Sequence, residues 1–281
     1  MLPYFYIQQL EISSEVSKGQ NGEGWFAGFP VDQPNVFFND EKQKNAKGVR
    51  LTLGQENDLN SGMTISLDET NSKHAIQVLR MKIGDRMHLT DGKGHLITAT
   101  IVNDHRKHCQ VSVDFIEPKA KQGADVAIAI ALTKNTSRFE WFLEKAAELG
   151  VSRVIPLITK RTETGKFKEE RLQNILISAM LQSQQTWLLQ MSAPVDFNKF
   201  IADAELEPAK KYIAHCIETD KQSLEYSLSS SLILVGPEGD FTPEEIEAAL
   251  NNGYQPVTLG ETRLRTETAG MVAATLLRIG N

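Results

Sequence analysis

From residue 125 onward, apolar runs of strand length alternate with amphipathic segments of helix length. That alternation allows little besides a parallel α/β sheet. Asp125-Val-Ala-Ile-Ala-Ile-Ala-Leu132 is a continuous apolar run, the pattern of a strand covered on both faces. Ser137 is placed to cap the next helix, with Glu140 completing a capping box. Phe139, Phe142, Leu143, Ala146, Ala147 and Leu149 give that helix its apolar faces, and Gly150 suits the position just past its end. Val151 to Ile158 reads as a strand leading into the basic loop Lys160-Arg161. A helix is predicted over 169–185, and strands over 211–217 and 231–236. Thr242-Pro-Glu-Glu245 opens another helix: a cap, a proline at the first position, and acids against the positive helix end. Gly253 closes it. The last strand spans 255–260, and an apolar helix runs from about Thr266 to Ile279.

The first part of the chain follows a different rhythm. Ser72 to Arg80 has helical spacing, with Ala75, Ile76, Val78 and Leu79 apolar. Short alternating strands follow at 86–90, 95–102 and 110–116. Asp91-Gly-Lys-Gly94 is a hairpin signal between the first two. Such strands joined by tight turns suggest a small β-barrel. The expected division is an N-terminal barrel domain over 1–118 and an α/β domain over 124–281. Residues 10–62 are polar, without periodicity, and gain too little from burial to offset ordering entropy. They are expected to be an insertion, partly mobile.

With 281 residues and 41 % hydrophobic content, the chain can hold two cores. No apolar run approaches the ~20 residues of a membrane span, and the N-terminus lacks the pattern of a secretory signal. A cytoplasmic protein with no membrane partner is expected. The two cysteines, Cys109 and Cys216, are far apart and outside any C-x-x-C spacing, so no disulfide framework and no metal site is expected. Both are expected to be small buried hydrophobes. A net charge of −6 excludes a uniformly basic surface but not a local one. His74, His88, His95, His105 and His108 cluster with Lys73, Arg80, Lys82, Arg86, Lys93, Arg106 and Lys107. That cluster is either a solvated face or an RNA-facing patch.

Ligands of open parallel sheets bind outside the carboxyl ends of strands. Three loops leave such ends with unusual residues: Gly236-Pro-Glu-Gly-Asp240, Leu259-Gly260, and Arg263-Leu-Arg-Thr-Glu-Thr268. Neither the spacing of a phosphate loop nor that of a dinucleotide fingerprint is present. Glu238 and Asp240 repel phosphate and tolerate a sulfonium compound better. The same residues also suit ordinary tight turns.

The order of these motifs adds weight. Leu234 to Ile246 (LVGPEGDFTPEEI), then Val257-Thr-Leu-Gly260, then Leu264-Arg-Thr-Glu-Thr-Ala269 resembles the RsmE family of 16S ribosomal RNA uridine-N3 methyltransferases. Lys134 to Pro156, with Glu140, Lys145, Ala147, Glu148-Leu-Gly150 and Val151-Ser152, is similar to that family's central segment. His74 to Gly94 looks like its N-terminal RNA-binding barrel. The resemblance covers about residues 63–281 and Tyr4-Phe-Tyr6.

It implies a SPOUT domain with a parallel sheet and a trefoil knot behind a PUA-like β-barrel. It also implies a homodimer, 16S ribosomal RNA of the small subunit as substrate, and S-adenosylmethionine bound by backbone of the knotted loops. Carried over by position, the cofactor candidates are Leu234, Gly236, Glu238, Gly239, Leu259, Gly260, Leu264, Arg265 and Thr266. The RNA-contact candidates are Lys73, His74, Arg80, Lys160 and Arg161, with Lys166 and Lys168 nearby. Two departures stand out: Asp240 occupies a position usually glycine, and Leu181-Gln-Ser-Gln-Gln185 keeps only part of a family motif.

Methylation at uridine N3 requires an unpaired base and stabilisation of charge on the uracil oxygens. Arg265 is the candidate for that role. Glu267 is placed to orient Arg265 or accept the proton, and Arg138 to reach substrate across a dimer. Trp141 and Trp187 are expected to pack helix faces. Two other readings stay open: a SPOUT methyltransferase for a different RNA site, and a non-catalytic ribosome-assembly or RNA-binding protein.

Overall fold

A computed structural model describes residues 1–8, 63–163, 167–202, 210–218 and 220–279. The insertion expected at 10–62, Trp25 within it, and Lys166 lie outside these residues.

Strands β1 (Tyr4–Tyr6), β2 (Thr64–Ser66), β3 (Arg86–Thr90), β4 (His95–Asn103) and β5 (Gln110–Pro118) form a sheet in the order β1-β3-β4-β5-β2. The first pair is parallel and the last antiparallel. The turn between β3 and β4 forms where the sequence predicts it. Gly92 and Gly94 take positive φ of 69° and 95°. The Asp91 carboxylate accepts the backbone N–H groups of Lys93 and His95, an Asx turn that fixes the hairpin. The helix read from Ser72 begins earlier, because Asp68 supplies the cap. Helix α1 spans Glu69–Lys73 and continues as a π turn over His74–Val78.

By compactness the chain separates into two units. One comprises Met1–Tyr6, Met87–Thr98 and Phe115–Asn281; the other comprises Ile7–Arg86 and Ala99–Asp114.

The remaining elements are β6 (Val126–Ala131), α2 (Thr136–Glu148), β7 (Arg153–Ile158), α3 (Glu169–Gln182), β8 (Gln190–Met191), β9 (Val195–Asp196) and α4 (Phe197–Ile201). They are followed by β10 (Lys210–Ala214), β11 (Gln222–Ser223), β12 (Ser231–Val235), α5 (Pro243–Asn251), β13 (Gln255–Thr258) and α6 (Thr266–Arg278). The strands order as β11-β13-β10-β12-β6-β7-β8, with β9 beside β7. Every recorded pairing in this sheet is parallel. Alternation along β6 sends Ile128 and Ile130 to one face and Ala129 to the other. The first face packs Phe142, Leu143, Leu176, Ala273 and Leu277 of α2, α3 and α6. The second packs Phe197, Phe200, Phe241 and Ile246 around α4 and α5. Helices on both faces explain why β6 and β12 are apolar throughout.

Three local readings need correction. Helix α2 is capped by Asn135, whose side chain accepts the Ser137 backbone N–H at 3.0 Å; Ser137 is already inside the helix. Glu140 instead holds Arg171 through two hydrogen bonds, at 2.6 and 3.0 Å. Helix α3 stops at Gln182, since Gln184 takes φ of +56°. Gln185 then turns its amide onto the Ala147 and Glu148 carbonyls at 2.8 and 3.0 Å, adding to the Gly150 N–H already on Ala147 and giving the Glu148 carbonyl at the end of α2 a donor. The departure at Leu181 to Gln185 is thus a helix-end clasp. Trp141 is 44 % exposed rather than packed, because its position on α2 faces away from the core. Trp187 is 39 % exposed, and its indole N–H donates to the Lys119 carbonyl at 2.8 Å.

Gly270 of α6 sits where the helix crosses β6. A Cβ there meets Ile130 Cδ1 and Phe142 Cε2, both at 2.7 Å. Gly270→Ala gains about 1 kcal/mol of helix propensity, but overpacking costs roughly 1–3 kcal/mol. The net expectation is a lower urea midpoint, with a larger drop for Gly270→Val. A midpoint raised by alanine sinks this account of the packing.

Candidate active site

The site follows from the register of three strands. Ala214 of β10 lies opposite Val235 of β12 and Val257 of β13. The three therefore end level, and their outgoing loops leave together. The sequence has glycine at two of these exits, Gly236 and Gly260. Gly260 takes φ of +128°, a conformation that L side chains rarely adopt. The Thr258 hydroxyl locks that turn, donating to the Gly260 carbonyl at 2.9 Å and accepting its N–H at 3.3 Å. The start of α6 closes the third side.

Together these turns line a pocket of about 450 Å³. Gly236, Glu238, Leu259, Gly260, Leu264 and Thr266, all predicted from sequence, line it. Leu234, Gly239 and Arg265 do not. Leu234 is fully buried in β12, packed on the face of the sheet that α4 and α5 cover. The Gly239 carbonyl accepts from the Arg161 guanidinium at 2.7 Å. Arg265 is the exposed cap residue of α6, and no hydrogen bond or ion pair of its side chain is found among the described residues.

The loop after β10 adds residues that the sequence did not flag: His215, Cys216, Glu218 and Lys221. Cys216 is exposed there, correcting the expectation of burial; Cys109 alone is buried. The Asp240 carboxylate accepts the Cys216 backbone N–H at 2.8 Å. Asp240 holds φ of +63°, so the residue that departs from the family pattern ties two pocket walls together.

His215 and Thr266 are 7 % and 3 % exposed. Neither imidazole nitrogen of His215, nor the Thr266 hydroxyl, has a well-formed hydrogen-bond partner among the described residues. Burial, and then the Lys221 ammonium, push the His215 pKa below 6.5; Asp240 and the nearby Ile217 backbone oppose this. An unfolded chain takes up that proton at about 6.5, whereas the folded chain resists until lower pH. Stability thus falls as pH drops from 6.5 to the lowered folded value, and is constant below it. His215→Phe should flatten that segment of the pH–stability curve, read by urea unfolding at pH 7.5 and 5.5. An unchanged slope excludes the histidine as its source.

On the other side of the α6 start, Glu267 is 7 % exposed. One of its oxygens lies 3.6 Å from Nε of Arg138, and the other has no hydrogen-bond partner among the described residues. Glu267 therefore faces Arg138, not Arg265 as the sequence suggested. Among the five predicted RNA contacts, Lys73 pairs with Glu69 at 2.7 Å and the Arg161 guanidinium donates to the Gly239 carbonyl. His74, Arg80 and Lys160 are exposed, and the Lys160 backbone N–H is anchored on Glu245 at 2.8 Å. No cluster of three metal-ligating side chains exists among the described residues, and no helix among them is long and apolar enough to cross a membrane.

Residues 120–278 match the model of an RNA methyltransferase domain, and residues 67–114 that of an RNA methyltransferase PUA domain. A Synechocystis protein, ribosomal RNA small subunit methyltransferase E, is 31 % identical over 80 % of this chain and 75 % of its own. The chain belongs to the ribosomal RNA small subunit methyltransferase E family. Its fold is that family's. The crystal structure of a probable rRNA-methyltransferase from Porphyromonas gingivalis superposes with a TM-score of 0.71 at 41 % identity, covering 75 % of this chain and 90 % of that one. The Neisseria gonorrhoeae ribosomal RNA small subunit methyltransferase E, crystallised bound to S-adenosylmethionine, superposes with a TM-score of 0.68 at 26 % identity, over 78 % and 92 %.

Proposed function

We propose that this chain transfers the methyl group of S-adenosylmethionine to N3 of a uridine in 16S ribosomal RNA of the small subunit, acting as a cytoplasmic homodimer with a knotted methyltransferase domain. The observation that carries the reading is the meeting of three strand exits around one pocket holding two buried, unpartnered polar groups. Its size falls in the roughly 300–1,000 Å³ range of small-molecule sites. Its floor includes the apolar Val235 and Val257. Such a pocket fits a compound with a flat ring and a polar tail, and a relative binds that compound in its crystal.

When bound, the sulfonium supplies an electrophilic methyl for in-line displacement. The chain supplies the rest. The backbone of Gly236, Leu259 and Gly260 shapes the donor site. Arg265, beside Leu264 and Thr266 of the pocket wall, offers the fork that holds the uracil oxygens or a flanking phosphate. Glu267 fixes Arg138, the second cation of the site. Exposed His74, Arg80 and Lys160 steer phosphates.

The test has two parts. Calorimetry should show S-adenosylmethionine binding at submillimolar concentration. Small subunits from a strain lacking the gene should then accept one labelled methyl, mapped by mass spectrometry of the 16S RNA to uridine N3. Absence of binding at millimolar donor refutes the enzyme reading; a label at another nucleotide or atom refutes the uridine-N3 assignment.

A further inference from the structure

The buried groups of the pocket set a chemical requirement on its ligand. Leaving a buried donor or acceptor unpaired costs about 1–3 kcal/mol, and His215 and Thr266 impose that cost on two walls of one pocket. They differ from the other polar residues there. Glu218, Glu238, Glu261 and Arg263 are exposed at the mouth, where charges keep their water. Carrying a charged ligand group to the floor requires stripping that water, which is expensive without an opposite charge. The charges nearest His215 are already engaged, the Lys221 ammonium on the His215 carbonyl at 2.9 Å and the Asp240 carboxylate on the Cys216 and Phe241 backbone N–H groups, and the rest of the floor, Ala214, Val235, Val257 and Ala269, is apolar. A charged tail therefore belongs at the mouth and a neutral, flat, hydrogen-bonding ring at the floor. A neutral imidazole offers one donor and one acceptor, and a threonine hydroxyl offers both. An aminopurine edge, with an exocyclic amine beside a ring nitrogen, needs that combination.

We propose that His215 and Thr266 read the adenine edge of the methyl donor by side-chain hydrogen bonds and thereby set specificity for the base. This rests on the donor site described above. Asp240 serves the arrangement by holding the Cys216 backbone, which fixes the loop immediately after His215. The role belongs to His215 rather than to the strand, because β10 ends at Ala214 and no ladder needs its ring.

The experiment measures binding of S-adenosylhomocysteine and S-inosylhomocysteine, which differ along one purine edge: the exocyclic amine becomes a carbonyl and the adjacent ring nitrogen turns from acceptor to donor. The proteins compared are the full chain, His215→Phe and Thr266→Val. The parent should prefer the adenosyl compound by about tenfold or more, the worth of one hydrogen bond left unmade. His215→Phe should bind the adenosyl compound about tenfold more weakly and distinguish the two by less than about threefold. Its ligand-free thermal midpoint should hold or rise, since phenylalanine fills the same space without buried polar atoms. Thr266→Val should shift the preference in the same direction. Retained affinity and preference in both variants overturn the proposal, as does a parent that binds both compounds equally. A His215→Phe midpoint lowered together with an unchanged preference assigns the ring to structure and overturns it as well. A parent that binds neither compound at millimolar concentration refutes the methyl-donor site itself, a distinct result.

Discussion

Arg265→Ala should lose methyl transfer to small-subunit RNA by about 10²–10³-fold, the worth of a preorganised donor to developing negative charge. Its unfolding midpoint and donor affinity should stay at parent values. The separation of effects follows from position. Arg265 caps α6 through its backbone, with the Ala269 N–H on its carbonyl at 2.7 Å, and alanine keeps that bond. Its exposed side chain neither lines the donor pocket nor holds any neighbour among the described residues. Surface substitutions of this kind cost within about 0.5 kcal/mol. Single-turnover assays with saturating donor isolate the step. Turnover at parent rate removes Arg265 from the mechanism.

Glu267→Gln should cut turnover by about 10²-fold, the lower end of what a positioned charged or proton-transferring group supplies, with stability unchanged or improved. A buried carboxylate with one oxygen 3.6 Å from a half-exposed guanidinium and the other unpartnered is not held for stability. Its desolvation exceeds what so long a contact returns, and only its place in the first turn of α6 favours it. Glutamine keeps the shape and removes the charge, leaving Arg138 to water. If Glu267 acts through Arg138, then Arg138→Ala and the double variant should lose no more than Glu267→Gln alone. Additive losses separate the two residues. A lower melting temperature with full activity makes the pair structural.

These residues also show what a sequence can disclose. The helix start at Thr242 forms as read, and Glu245 completes a capping box there, with the Thr242 backbone N–H on Glu245 at 2.8 Å, because both partners lie within one turn. The Gly236 and Gly260 turns are legible for the same reason, since backbone conformation is written locally. The Asn135 cap is missed because Ser137 offers an equally good local signal, and the end of β6 decides between them. His215 is hidden by a strand boundary. An apolar run suggests a strand through Ile217, but β10 has partners only as far as Ala214, and the histidine falls just beyond. It had a faint signal, as the one histidine outside the basic segment of residues 74–108. The Arg138–Glu267 contact has none, since only the packing of α2 against α6 and β6 joins segments so far apart.

The level ending of β10, β12 and β13 carries a consequence for how the molecule is made. β10 lies between the other two, so the pocket walls depend on β13, which is synthesised after β6 to β12. A nascent chain short of Thr258 has most of its sheet but no receptacle. The small molecule thus cannot template early collapse. It can favour only the finished domain over every partly assembled one, by an amount that grows with its concentration over its dissociation constant.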